Sequence, residues 1–454
     1  MIEHPFFWDI VLIVAIMPLL EVAILRDNYR VLSPVTMFFF GNLTLYIIPY
    51  LGHFYISPDW RLNLLDYHQF SVAFHVLRCF LYTYCIVMIP LLYRLSKSQP
   101  VVMVLDYRQI RNKTMFFFVF VCFVVIIMLG VGVGFSPALM IDRAIHPREY
   151  TFVRAGVGPL THLYFGVRFV LMALASALIF LSGKSMFSIF FFVLSAFVTF
   201  TGGTKASFIL PLFMLVVVWQ KMNWRQKSAF SMLRGTILFG TAGVLLVLTG
   251  FLFMKGHREK VSGLVDAAVQ AVHYHKEPYY LPLVIEHFPW TPYYTYGQIR
   301  DTFLAPIPRA IWTNKPNVGL WAIYFRQEFE PTTVFYHSST FGCMAEAHMM
   351  FGSLGPFIYG IIWALLCYKL YFYMLTSTSF FKAFMVGTVS FWTYLLLRTG
   401  FLEVNFSIMM MYMILGWVFL RNIHTVYNEE TEDGEPSPEE PGQESLYGDL
   451  SSPT

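Results

Sequence analysis

The sequence predicts an all-α polytopic membrane protein with about eleven transmembrane helices and a large external loop. Three observations carry this reading. Of the 454 residues, 13% are charged and 57% hydrophobic, whereas an average soluble domain has roughly 25% charged residues. Apolar runs of about 15–25 residues recur from end to end, and a helix needs about 20 residues to cross the hydrocarbon core. One stretch, 255–351, is far longer than an ordinary connection. This composition excludes a disordered chain, a secreted disulfide scaffold and an ordinary soluble enzyme. Five cysteines without a C-x-x-C pair argue against a disulfide or zinc framework.

The expected spans are 5–25, 33–52, 70–93, 115–135, 159–182, 186–200, 206–220, 235–254, 352–375, 381–397 and 402–421. The first lacks a basic flank and a small-residue cleavage site, so it reads as a retained helix. The sixth and seventh are short and meet at Gly202-Gly203-Thr204-Lys205, a pattern that often lines a cavity rather than lipid.

Orientation follows from Lys and Arg in short loops. Loop 94–114 carries Arg94, Lys97, Arg108, Arg111 and Lys113, and loop 221–234 carries Lys221, Arg225, Lys227 and Arg234. An even number of spans separates them, so both read as cytoplasmic. The N-terminus and the stretches 136–158 and 255–351 then lie outside. Residues 428–454 hold nine of the 27 acids and no Lys or Arg. They read as a disordered acidic cytoplasmic tail behind a transmembrane domain at 1–427. Without those nine acids, the chain carries 31 basic residues against 18 acidic ones, or +13. Roughly half of the basic residues lie outside or within spans, where an anionic substrate would give them a use.

Several motifs are absent. No D-x-D, H-E-x-x-H or G-x-S-x-G occurs, and Gly183-Lys184-Ser185 lacks the first glycine of a P-loop. An ATP-driven pump and a serine or zinc hydrolase are poor readings, and neither a metal nor another cofactor is expected.

Five constellations remain. Segment 299–316 is stiffened by Pro306, Pro308 and Pro316 around Arg309, with Arg300, Trp312 and Lys315 nearby. Guanidinium forks suit a diphosphate, although interfacial cations also touch lipid headgroups. Segment 338–355 holds Glu346, flanked by alanines, and His348. The carboxylate suits a general base or simply an acid at a helix start. Lys205 beside Gly202 and Gly203 suits an anion site or a tight turn. Loop 136–158 carries Asp142, Arg143, His146, Arg148, Glu149 and Arg154, each by itself more typical of a solvated surface. Arg168 follows inside a span, where a charge is expensive and a functional candidate. Arg78, and Arg398 with Glu403, raise the same question, with a structural ion pair as the alternative. Finally, Tyr279 through Tyr296, including Trp290 and Tyr294, reads as an interfacial aromatic belt or as sugar-stacking surface. His273 and His275 lack further ligands at metal-site spacing.

On three of these blocks the chain resembles the Wzy-type oligosaccharide repeat-unit polymerases, which include the O-antigen and enterobacterial common antigen polymerases. The blocks are Gly202-Gly203-Thr204-Lys205, Ile307-Pro308-Arg309-Ala310-Ile311-Trp312-Thr313-Asn314-Lys315-Pro316, and Gly342 to Gly355 with Glu346. The family often has Arg where Lys205 stands, and Asn-Phe-Gly where Met350-Phe351-Gly352 stands. The resemblance covers about residues 100–420.

It implies a GT-C-like glycosyltransferase of lipopolysaccharide-type polysaccharide biosynthesis in the bacterial inner membrane. The N-terminus would be periplasmic and the C-terminus cytoplasmic. The substrate would be an undecaprenyl-diphosphate-linked oligosaccharide. Glu346, with His348, would do the acid–base work. Arg309, Arg300, Lys315, Lys205, Arg154 and Arg168 would hold the diphosphate, and Trp312, Trp290 and Tyr294 the sugar. Membrane lipids, a flippase and a chain-length regulator are the implied partners; nucleic acid is not. The competing readings are a lipid A–core ligase type, which uses the same donor, and a lipid-linked sugar flippase.

Overall fold

The computed structural model describes residues 5–30, 32–56, 59, 61–131, 133–145, 158–183, 185–200, 206–222, 275–288, 290, 292–304, 307, 311–314, 341–400 and 404–423. Its elements are helices, and no strand occurs among the described residues. In chain order they are α1 (Pro5–Leu25), α2 (Pro34–Ile56), α3 (Tyr67–Ser96), α4 (Tyr107–Gly130), α5 (Pro137–Ile145), α6 (Gly158–Leu181), α7 (Met186–Phe200) and α8 (Ala206–Met222). Then follow α9 (Glu277–His287), α10 (Pro292–Leu304), α11 (Cys343–Phe351), α12 (Gly355–Thr376), α13 (Phe380–Thr399) and α14 (Val404–Leu420).

Seven segments are long and apolar enough to cross a membrane, among them Cys343–Thr376, which is interrupted at Gly352–Leu354, and three shorter apolar helices accompany them. The seven coincide with expected spans, and the three shorter helices fall where three further spans are expected. The remaining one, 235–254, lies outside the described residues, as does the acidic tail.

Local chemistry sets the helix starts. Ser33 Oγ accepts from Thr36 N at 2.9 Å, with Pro34 at the first position of α2. Asp66 and Gln69 form a reciprocal capping box at α3. Asp106 accepts from Arg108 N at 2.8 Å and starts α4 at Tyr107, well before the expected residue 115. Arg108, Arg111 and Lys113 therefore sit on helix turns rather than in a loop. At the other end of α4, Arg143 of α5 donates to the carbonyls of Leu129 and Val131. Arg143 is buried, which corrects its reading as a solvated loop charge: the last turn of α4 supplies acceptors, and the guanidinium takes them.

Two helix groups form the body. In the first, α3 packs against α1 and α12, with α2 alongside; in the second, α6 packs against α4, α7, α8 and α14. α13 joins them, packing on α2 and α12 on one side and on α8 and α14 on the other. Aromatic rings fill the seams: Phe38 stacks on Tyr84 at 3.9 Å, and Phe169 meets Phe391 edge-on at 5.5 Å. The outer faces stay apolar at helical spacing, as at Phe116, Val119 and Phe123 on α4 and Phe190, Val193 and Phe197 on α7. So much exposed apolar surface fits lipid rather than water.

Alternate helix ends gather at opposite ends of the bundle. At the first end, Asn28 donates to the carbonyls of Leu95, Ser96 and Ser98, and Lys221 Nζ donates to those of Val101, Met374 and Leu375. Arg30 is buried nearby, its backbone N–H on Tyr371 Oη at 2.8 Å. Burial pushes its guanidinium down to about 9, which leaves it charged at neutral pH. At the second end, Tyr50 donates to Pro278 O, Gln69 to Glu286, and Arg398 to Glu277.

Two segments of the stretch 255–351 pack inside the bundle. Glu277 to Val284 of α9 are buried against α2, α3 and α11, and α11 is buried except at His348 and Phe351. Apolar residues predominate in both, so most of their surface gains by leaving water. Tyr279 and Tyr280 are accordingly core residues rather than an interfacial belt. A helix break falls at Gly352–Leu354 between α11 and α12, where the ninth span is expected to begin. Gly352 takes φ +61°, and Gly355 packs directly on the Ala347 carbonyl, so neither position tolerates a side chain. The 201–205 junction, where the sequence places such a feature, lies outside the described residues.

Candidate functional site

The break in α11–α12 buries a carboxylate. Glu346 sits one turn into α11, with no solvent exposure. Gly342 precedes the helix at φ +88° and accepts from Glu346 N at 3.1 Å, so the two positions share one face. Tyr359, beyond the break, donates to Glu346 Oε1 at 2.5 Å. Gly400, at the end of α13 with φ +100°, lies against the same carboxylate, and a Cβ there would overlap Oε2. A buried carboxylate is costly unless it is hydrogen-bonded. Tyr359 supplies a donor that the sequence pattern does not reveal.

A second acid lies beside Gly342. Glu277, the first residue of α9, is also fully buried, with Cβ 3.5 Å from where a Gly342 side chain would begin. Arg398 Nε donates to Glu277 Oε1 at 2.9 Å, while His275 Nδ1 lies 3.5 Å from Oε2. His275 Nε2 in turn lies 3.1 Å from Tyr394 Oη. Arg398 therefore pairs with Glu277; Glu403, its sequence neighbour, lies outside the described residues. The Tyr46 hydroxyl, from a π-helical turn of α2, reaches the same corner and has no hydrogen-bond partner among the described residues. Such turns are frequent at functional sites. The site thus brings α2, α9, α11, α12 and α13 to one point at the second end of the bundle.

The other sequence candidates fall in several places. Arg309, Lys315, Lys205 and Arg154 lie outside the described residues, and so does the side chain of Tyr294. Arg300 is exposed on α10, and Trp312 is exposed beyond it. His348 is half-buried, one residue beyond Ala347 on α11. Arg168 is buried in α6 with its guanidinium 4.4 Å from the Phe165 ring centre, beside Tyr164. α13 packs against both α6 and α11.

Trp290 donates from its indole nitrogen to Met350 O at 2.5 Å, and Thr295 donates to the same carbonyl at 2.8 Å. It closes the end of α11 while its ring stays about half exposed. Arg78 forms an ion contact with Asp9 at 3.6 Å and covers the Phe6 ring, the structural pairing that its place in a span allowed for.

Glu277, Tyr46, Tyr359 and Gly400 escape a reading of the sequence. Glu277 looks like any loop acid before a proline, and the others look like ordinary apolar-helix residues. Their role appears only when five separate segments converge.

Comparison of the chain with family models, curated proteins and solved structures found no match.

Proposed function

We propose that the protein polymerises undecaprenyl-diphosphate-linked oligosaccharide repeat units, as the resemblance of its three sequence blocks implies. The second end of the bundle would face the periplasm. The observation that carries this reading is the placement of Glu346: the acid of the third block is enclosed beside a Glu277–Arg398 pair at the end from which α9 and α10 spring.

In the reaction, an acceptor sugar hydroxyl attacks the anomeric carbon of the donor. The C–O bond to the diphosphate breaks, and its electron pair leaves with undecaprenyl diphosphate. Cations near the diphosphate stabilise that leaving charge, with Arg309 the first candidate. Glu346 takes the hydroxyl proton. Because Tyr359 and Gly400 cover the carboxylate, acceptor binding would part α11 from the end of α13. Most of the rate would come from holding two lipid-linked chains in register.

One observation favours a second reading, a lipid-linked sugar transporter. A fully enclosed carboxylate on a broken helix is also how membrane carriers build substrate and proton sites. Purified protein in vesicles with a lipid-linked repeat unit separates the two. Polymer formed without any nucleotide sugar, and abolished in Glu346→Gln and Arg309→Ala, supports polymerisation. Movement of the intact lipid between leaflets with no new glycosidic bond overturns it in favour of transport.

A further inference from the structure

Gly400 covers the Glu346 carboxylate with bare backbone, so close that an added Cβ would overlap Oε2. Such a cover works only while the last turn of α13 stays in place. Gly400 N donates to Leu396 O at 2.8 Å, so the cover is part of that turn. Tyr394 and Arg398, four residues apart on one face of α13, hold the turn to the start of α9. Arg398 Nε donates to Glu277 Oε1 at 2.9 Å, and Tyr394 Oη lies 3.1 Å from His275 Nε2. His275 Nδ1 lies 3.5 Å from Glu277 Oε2. With the proton on Nδ1, the ring faces Glu277 as a donor and accepts from the Tyr394 hydroxyl. The two attachments are about 6 Å apart along the helix axis. A single contact would let the helix end pivot, whereas two fix its direction as well as its position. The His275 and Glu277 side chains are 9% and 0% exposed, so water competes little for these contacts.

We propose that His275 is a positioning residue for Glu346: it ties Tyr394 to Glu277 and so holds the Gly400 backbone over the carboxylate. What the cover is for rests on the proposed function, which the inference deepens by naming what sets how readily the cover lifts. The acceptor hydroxyl reaches Glu346 when the end of α13 moves off α11. With Arg398 alone, α13 could swing about the Glu277 contact. His275 supplies the second point, one turn earlier, and acts through the helix end that bears Gly400.

The test reads the cover itself and needs no polymerase activity. Glu346→Cys places a thiol beneath Gly400, and its alkylation by a small water-soluble maleimide is followed by peptide mass spectrometry on the full-length protein in detergent. The buried Cys367, whose thiol donates to Pro34 O near the first end, is the internal reference. Adding His275→Ala or Tyr394→Phe raises the rate at position 346 by about fivefold, the shift in an opening equilibrium that losing one hydrogen bond produces. The rate at Cys367 stays unchanged. Adding His275→Gln, whose amide oxygen can take the Tyr394 hydroxyl in place of Nε2, keeps the rate near that of the Glu346→Cys parent. Unchanged labelling in both His275→Ala and Tyr394→Phe overturns the assignment. So does a rise matched at Cys367, which is general loosening, or a rise in His275→Gln as large as in His275→Ala. Absence of polymer from the wild-type protein would overturn the polymerase reading alone and leave the labelling result standing.

Discussion

The Tyr359 hydroxyl donates to Glu346 Oε1 at 2.5 Å across the break between α11 and α12. One bond therefore joins the two halves of an interrupted helix and satisfies a buried charge. The break makes this possible. Were 343–376 a continuous helix, residues 13 apart would lie roughly 20 Å apart along its axis. The turn through Gly352–Gly355 folds α11 back until Gly355 touches the Ala347 carbonyl. Gly400 then closes the other side of the carboxylate. The Tyr359 hydroxyl and the Gly400 backbone thus hold the acid on two sides.

Tyr359→Phe removes the donor and leaves the ring in place. The carboxylate then loses the Tyr359 hydroxyl while staying enclosed. Removing a hydrogen bond from a buried charged group costs about 1–3 kcal/mol, so the thermal midpoint in detergent falls. Polymer formation falls with it, because the carboxylate is no longer held in one rotamer. An unchanged midpoint would mean that Glu346 is already protonated and makes little use of the hydroxyl.

The Glu277–Arg398 pair allows a sharper energetic test. Glu277 is fully buried, whereas about a fifth of the Arg398 side chain is exposed. Arg398→Met leaves a buried charge without its cation and costs about 3 kcal/mol, the low end for breaking an enclosed pair. Adding Glu277→Gln recovers much of that loss, since a neutral amide needs no cation. A double-mutant cycle on the chemical-denaturation midpoint measures the coupling. Additive effects of the two substitutions would show that the 2.9 Å contact contributes nothing.

Most of the helices were legible because lipid imposes a length and an apolarity that few other structures satisfy. α6 and α7 end within a residue of their expected limits. The α4 start was missed because a hydropathy window stops at Lys113, whereas the cap at Asp106 carries the helix on through charged residues that point outward. Glu346 was legible as a small-residue-flanked acid near a span. Its partners were not, because Tyr359, Glu277 and Gly400 are separated in the chain and ordinary in type. Within 255–351, two buried helices were not legible because they are too short to register as spans. At nine and 11 residues, α11 and α9 are buried by protein rather than by lipid.

Lys221 shows the same limit at the first end. In the sequence it counts as an orienting loop cation. In the structure it is buried and donates to the carbonyls of Val101, Met374 and Leu375 at 3.0–3.2 Å. Lys221→Met keeps the length and removes three charge-assisted bonds. Stability falls by about 2–3 kcal/mol, read as a lower detergent thermal midpoint. Reporter fusions in loops 94–114 and 221–234 keep their sidedness, because Arg225, Lys227 and Arg234 still carry the positive charge that orients the loop. A change of sidedness with an unchanged midpoint would make Lys221 a topology signal instead of a clamp.

Trp290 has one use in the structure and a second, separable one in the proposed function. Its indole nitrogen donates to Met350 O at 2.5 Å, closing α11, and its ring keeps a half-exposed surface that suits a sugar. Trp290→Phe removes the first use and keeps most of the second. Thr295 still donates to Met350 O at 2.8 Å, so the carbonyl is not orphaned and the stability loss stays near 1 kcal/mol. With a lipid-linked repeat unit as substrate, Trp290→Phe leaves KM close to wild type. Trp290→Ala raises it about tenfold, the equivalent of one aromatic contact. If the two variants lose stability equally and neither moves KM, the ring has no sugar to stack on and Trp290 serves only to hold α11, and with it Glu346, in place.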